Sequence, residues 1–359
     1  MTSVFVELLH VTLGRKKRLV YTPNVEEWDR IFTIAKQQTL VGVLFTGIEQ
    51  LPVEQRPPRK LLLKWIAATE RIKQNNKLLN RRAVETGKYF HNNGFESCII
   101  KGQGVATYYP NPLLRTSGDI DIWLKGCRKD IYELARKDVG LQGLTFQHIH
   151  YPIYKDAEIE VHTTPACLSN PFLNYKLQKY FKETFSDKHV CHLGLPDNAG
   201  YINVPTVEFN LFYLLLHMYK HLLGQGIGMR QMMDYYYALQ QPITDDVRKS
   251  VVNRLKDFKM LRFASATMYV MQNVFGLDEA LLLVTPNEKA GRFLLDEIIQ
   301  AGNFGKYDKR LKRKHNETPY YRLVRSLKRN VRFLKDYPNE VLWDPIFRTW
   351  QYFWRMGKI

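Results

Sequence analysis

The chain has 359 residues, 45% of them hydrophobic and 25% charged, enough to bury a substantial core; a disordered polymer, a collagen, a coiled coil and a peptide-scale scaffold are excluded. At about 150 residues per domain the length suggests about two or three folding units. The formal net charge of +18 attracts polyanions such as nucleic acid, nucleotide phosphates or anionic lipid and also keeps a protein soluble, and charge alone does not choose among these.

The first residues, 1–13, are mildly apolar but carry Glu7 and run into Arg15-Lys16-Lys17-Arg18, the wrong order for a secretory signal. The four cysteines, Cys98, Cys127, Cys167 and Cys191, are far apart with no C-x-x-C pair, which argues against a zinc ribbon, a thioredoxin motif or a disulfide scaffold. A reducing cytoplasm is the expected setting. Apolar residues at three- and four-residue spacing predict helices over 28–37, 41–49 and 58–90. Pro57-Pro58 opens the last of these, and Asn92-Asn93-Gly94 stops it, since Asn and Gly tolerate the left-handed conformation that ends helices.

The period then changes. Residues 95–100 read as a strand, Lys101-Gly102-Gln103-Gly104 as a turn, and 105–109 as a helical turn stopped by Pro110 and Pro112. A second strand is expected over 119–124, a helix over 129–139, and two strands over 145–154 and 158–163 joined at Lys155-Asp156-Ala157; Pro152 would put the first of this pair at a sheet edge or bulge. From Thr206 the pattern is helical to the end. The most apolar stretch, 209–223, contains Asn210, His217, Lys220 and His221 and is shorter than the ~20 residues of a membrane helix, so no membrane span is expected. Three parts follow: an N-terminal helical region (1–90), a small mixed-sheet α+β core (91–200) and a C-terminal helical region (201–359). Within the last, residues 306–335 are the most basic, with Lys312, Arg313, Lys314, Arg325, Lys328, Arg329 and Arg332. A solvated helical face and a polyanion-binding surface are both open readings of it.

Gly118-Asp119-Ile120-Asp121-Ile122-Trp123-Leu124 is the sharpest local feature. Strand alternation puts Asp119 and Asp121 on one side, about 6.6 Å apart at Cα, and Ile120 and Ile122 on the other. Two such carboxylates repel each other unless a cation lies between them, and hard divalent ions suit that place. The Lys101-Gly102 turn is placed to hold a phosphate, with Lys101 read either as a triphosphate contact or as a solvated strand-end lysine. In Glu158-Ile159-Glu160-Val161-His162 the parity lets Glu160 join the aspartates. A phosphate turn, paired aspartates and a third carboxylate are the parts of a two-metal phosphoryl-transfer site. Arg115 could reach a phosphate or pair with a carboxylate, while His148, His150 and His162 could shape an acceptor pocket, move a proton or serve as hydrogen-bonded structural residues. His217 and His221 share a helical face at the spacing of zinc helices, without a third ligand, and read better as buried hydrogen-bonding residues.

Lys101-Gly102, Tyr108-Tyr109-Pro110, Arg115, Gly118-Asp119-Ile120-Asp121-Ile122 and Ile159-Glu160-Val161-His162 together resemble the motifs of the polymerase-β-type nucleotidyltransferase superfamily. More narrowly they resemble the bacterial nucleotidyltransferase family often encoded near polysaccharide-synthesis genes, and the likeness continues through 212–221 and the run from Gly226 to Asp234. The resemblance implies that Asp119, Asp121 and Glu160 hold two Mg²⁺ (or Mn²⁺) ions, that Glu160 helps deprotonate an acceptor hydroxyl, and that Gly102 begins the phosphate turn. It also implies in-line attack on the α-phosphate of an NTP with loss of pyrophosphate, and a place along the nucleotide or acceptor cleft for Arg230 or Asp234, which share a helical face and also read as an i,i+4 ion pair. The acceptor is left open among a sugar or polysaccharide intermediate, another small molecule, RNA and protein. Two departures stand out: the superfamily's Gly-Ser is Lys101-Gly102-Gln103 here, and its third carboxylate, often Asp, is Glu160. A catalytically silent nucleic-acid-binding or scaffold protein on the same fold is the alternative.

Overall fold

The computed structural model describes residues 3–185, 190–311 and 318–357. Lys312, Arg313 and Lys314 lie outside the described residues, as do the side chains of Tyr320 and Arg322. In chain order the elements are α1 (Ser3–Thr12), α2 (Val25–Gln37), α3 (Val41–Gln50), α4 (Arg59–Asn92), β1 (Glu96–Ile99), α5 (Gln103–Ala106), β2 (Ile120–Lys125), α6 (Arg128–Asp138), β3 (His148–His150) and β4 (Ile159–His162). They continue with α7 (Pro171–Thr184), β5 (Val190–Leu195), β6 (Gly200–Pro205), α8 (Val207–Gly224), α9 (Met229–Leu239), α10 (Asp245–Asp257), α11 (Leu261–Asn273), α12 (Glu288–Ala301), α13 (Pro319–Phe333), α14 (Pro338–Val341) and α15 (Asp344–Met356). Two short sheets thus form a small mixed α/β core with extensive helical regions before and after it.

Two compact units divide the chain. The first comprises residues 1–77, 108–117 and 225–310; the second comprises 78–107, 118–224 and 311–359. The first unit is helical, and its start is specified locally. The Asn24 side chain accepts from the Glu27 amide while the Glu27 carboxylate accepts from the Asn24 amide, a reciprocal cap worth about 1 kcal/mol that fixes the first turn of α2. The predicted start and stop of the long helix are both found. The Pro58 carbonyl accepts from Leu62 at 2.9 Å at the start of α4, and Gly94 takes φ +82° just beyond its end.

The second unit carries the sheets. The larger has strand order β1-β2-β4-β3, with β1 antiparallel to β2, β2 parallel to β4 and β4 antiparallel to β3. All four of its strands fall on segments read as strands, and β3, which ends two residues before Pro152, is at the edge. Period-two alternation divides its faces. Ile120, Ile122, Leu124, Ile149, Ile159 and Val161 enter a core with Phe90, Ile131 and Tyr151, each aliphatic side chain contributing about 1.5–3 kcal/mol by burial. The opposite parity carries Asp121, Glu160, His162 and His148, and the register brings them together: Asp121 pairs with Glu160 and His162 with His148. The second sheet, the hairpin β5-β6, was not anticipated. It leans on β1 through Asn203, whose amide donates to the Ser97 carbonyl at 3.2 Å, and on α5, where a Cβ at Gly104 would come within 2.8 Å of Val204. Among the described residues no helix is long and apolar enough to cross a membrane.

Candidate active site

β2 and β4 deliver the three predicted carboxylates to one place. Asp119, just before β2, Asp121 within it and Glu160 in β4 each offer an oxygen, and these oxygens all lie within 4.8 Å of one another. Parallel pairing with matched register is what brings an aspartate and a glutamate far apart in sequence into adjacent positions on the same face.

Lys101, at the end of β1, enters the same cluster. Its Nζ is 2.8 Å from Asp121 Oδ1, with the lysine side chain 18% and the aspartate 1% exposed, so it is a buried ion pair and not a solvated lysine. His162 Nε2 meets that same oxygen at 2.9 Å. The other oxygen, Oδ2 of Asp121, is buried with no hydrogen-bond partner among the described residues, and so is the hydroxyl of Tyr213 in α8. Tyr213 feels the charges of Lys101, Asp121, Glu160 and Asp119. It is the site residue that the sequence reading missed, because the apolar run around it reads only as core.

The charges set the protonation states. Burial pushes the Asp121 carboxyl up, but Lys101 and then His162 outweigh burial and hold it well below the usual carboxylate range. Asp119 moves the other way, raised first by the Asp121 charge and then by burial. Glu160 is lowered: burial opposes the shift, and the contact with His162 and the charge of His148 outweigh it. Burial would lower His162, yet Asp121 and Glu160 raise it; His148 is pushed down to about 4, by burial and then by His162. Three carboxylates thus share Lys101 and His162. The buried bare oxygen, the like-charge crowding and the all-oxygen donor set fit a divalent ion of the Mg²⁺ or Mn²⁺ class.

Gly102 follows Lys101 with φ +61° and ψ −112°, a conformation that favours glycine, and it caps α5, a helix of only four residues. Arg115 and Arg230 belong to the first unit. The Arg115 guanidinium grips Asp234 with Nε to Oδ1 at 2.7 Å and Nη2 to Oδ2 at 2.8 Å, and donates to Ser117 Oγ at 3.0 Å. Tyr109 donates to the same Asp234 at 2.6 Å. Arg230 donates to the Thr116 carbonyl at 3.1 Å. In the basic segment, Arg310 pairs with Glu297 and Asp308, both at 2.9 Å, and Arg329 donates to the carbonyl of Leu223 near the end of α8 at 2.9 Å. Some of its charge is therefore spent on internal structure. His217 and His221 stack edge to face, centroids 4.3 Å apart, and no third metal donor joins them among the described residues.

Residues 24–276, most of the chain, match the sequence family described as "Uncharacterised nucleotidyltransferase". No curated protein matches the chain. Among solved structures the chain is similar to an antigenic nucleotidyltransferase-like protein from Paracoccidioides brasiliensis, with 11% identity over 56% of this chain and 93% of that one and a TM-score of 0.31.

Proposed function

We propose, from the premise that this chain belongs to the uncharacterised nucleotidyltransferase family, that it transfers a nucleoside monophosphate from an NTP to an acceptor hydroxyl or phosphate. The observation that carries the reading is the convergence of Asp119, Asp121 and Glu160 on one point, with Asp121 Oδ2 buried and bare. When bound, Mg²⁺ or Mn²⁺ would neutralise the triphosphate and polarise the phosphoryl group being transferred.

The chain's own residues would do the rest. Asp121, kept ionised by Lys101, is the fixed anchor for the ion, and Asp119 and Glu160 complete the oxygen set. Glu160 is a carboxylate at neutral pH and would accept the acceptor's proton as the new P–O bond forms and the bond to pyrophosphate breaks. Lys101 has ammonium protons beyond the one on Asp121 to offer a phosphate oxygen, and glycine at 102 keeps the turn beside it free of a side chain. Arg115 and Arg230 would act by fixing residues 115–117, the segment from which the chain runs into Asp119. A sugar-type hydroxyl is the acceptor class we would screen first, then RNA.

The test is calorimetric titration of each NTP, with and without Mg²⁺, into the wild type and the Asp119→Asn/Asp121→Asn double variant. One NTP should bind in a Mg²⁺-dependent way, and the double variant should lose about two orders of magnitude in affinity, about 2.7 kcal/mol. A folded wild type that binds no NTP would overturn the reading and favour a silent polyanion-binding protein, whose affinity should fall steeply with salt.

A further inference from the structure

The sheet carries a second donor set beside the carboxylates. β3 and β4 place His148 opposite His162 and His150 opposite Glu160, so three imidazoles and a carboxylate share one face. His148, Glu160 and His162 each offer a ligand atom, all within 4.8 Å of one another. Glu160 Oε2 lies 3.4 Å from His148 Nδ1 and 3.7 Å from His162 Nε2.

Those separations are too long for good hydrogen bonds, which end near 3.2 Å. They are close to the edge of a ligand tetrahedron: with metal–nitrogen and metal–oxygen bonds of about 2.0–2.2 Å, neighbouring ligand atoms sit about 3.3–3.6 Å apart. His148 Nδ1 is also buried with no hydrogen-bond partner among the described residues, a cost that a metal bond would remove. The side-chain amide nitrogen of Gln147 lies 3.4 Å from His162 Nδ1. When His162 turns Nε2 from Asp121 Oδ1, that oxygen still has Lys101 at 2.8 Å.

We propose that His148, Glu160 and His162 form a second cation site, chemically unlike the oxygen site and sharing Glu160 with it, that takes a transition ion of the Zn²⁺ class. Two imidazole nitrogens and one carboxylate make a zinc donor set with an open fourth position, whereas Mg²⁺ prefers oxygen ligands in an octahedron. The site requires only that these three side chains take an ion and does not depend on nucleotide transfer.

The probe is Co²⁺, which reports tetrahedral coordination by its visible absorption, added to the chelator-stripped full chain. The wild type should bind one Co²⁺ per chain in tetrahedral coordination, with a spectrum that Zn²⁺ abolishes and a large excess of Mg²⁺ does not. His148→Ala and His148→Gln should each lose the spectrum and weaken Zn²⁺ binding at least about 10-fold, the lower end of what even an outer-shell change costs. Asp119→Asn should keep it. An octahedral spectrum with no tetrahedral bands, no spectrum, unchanged Zn²⁺ affinity in both folded His148 variants, or loss in Asp119→Asn alone would each overturn the site. The Co²⁺ spectrum is read without NTP and the NTP titration without Co²⁺ or Zn²⁺, so the two readings fail separately.

Discussion

In the first unit Asp234 lies between Arg115 and Tyr109, and both of its oxygens accept hydrogen bonds. In the second unit Asp121 has Lys101 and His162 on the same oxygen, while its other oxygen is buried and bare. Both aspartates are buried, and both are held below the usual carboxylate range by a neighbouring cation that overcomes burial. They differ in closure. The Asp234 network has saturated oxygens and no shortage of positive charge, since Arg115 and then Arg230 both act on the carboxylate, as a buried ion pair that serves the fold requires. Around Asp121 two further carboxylates crowd in, and saturation is incomplete. A buried network that remains short of positive charge has a ligand's place in it.

The largest effects should come from breaking the closed network. Asp234→Ala leaves the Arg115 guanidinium buried and the Tyr109 hydroxyl without this acceptor, and should cost about 3–5 kcal/mol in denaturant unfolding. Replacing the pair together, Arg115→Met with Asp234→Leu, should recover most of that loss, because no charge is then left unpaired. Loss of NTP binding in that folded double variant, at wild-type stability, would show that Arg115 serves nucleotide binding as well as the fold and would break the contrast between the two units.

The open network should respond differently. Lys101→Met removes the ammonium from Asp121 but leaves His162 on the same oxygen, so the loss should be smaller, about 1–3 kcal/mol. It should also be repairable. A divalent ion can neutralise the carboxylates in place of Lys101, so melting in Mg²⁺ should recover toward wild type, while Asp234→Ala should gain nothing from the same addition. An equal response of both variants to Mg²⁺ would mean that the ion acts by general screening and not through Asp119, Asp121 and Glu160.

How much of this could be read beforehand depended on the range over which each signal acts. The face shared by Asp121 with its neighbours, and the opposite face of Ile120 and Ile122, follow from the pleat alone, so strand parity located the carboxylates. The parity of Glu160 was equally plain, although its register against Asp121 needed the parallel pairing of β2 with β4. Arg115 and Asp234 are 119 residues apart, and nothing local says that the arginine's carboxylate is that one. Lys101 read as a phosphate contact or a solvated residue because its partner lies on the neighbouring strand. The β5-β6 hairpin was missed since its exposed positions break the alternation of a half-buried strand. The turn at Asp197 and Asn198, both with positive φ, was the available signal.

Acid unfolding should give Asp234 and Asp119 opposite signs. The folded value of Asp234 lies below its unfolded value of about 3.9, so its ionisation stabilises the fold above that pH, and the stabilisation is lost as pH falls through the depressed folded value. Asp119 is raised in the fold, so without an ion its charge costs stability above the raised value, and the cost disappears once pH falls below about 3.9 and the group is protonated in both states. Asp234→Asn should therefore be less stable than wild type at pH 7, with a gap that closes below about pH 4. Asp119→Asn, measured in chelator, should be slightly more stable than wild type at pH 7, by under about 1 kcal/mol, and should converge on it from the other side as pH falls. Adding Mg²⁺ at pH 7 should reverse the second sign, because the ion turns Asp119 from a repelled charge into a ligand. An Asp119→Asn variant less stable than wild type in chelator would mean that the cluster already has its charge balanced by the protein alone, and the distinction between a closed and an open network would fall with it.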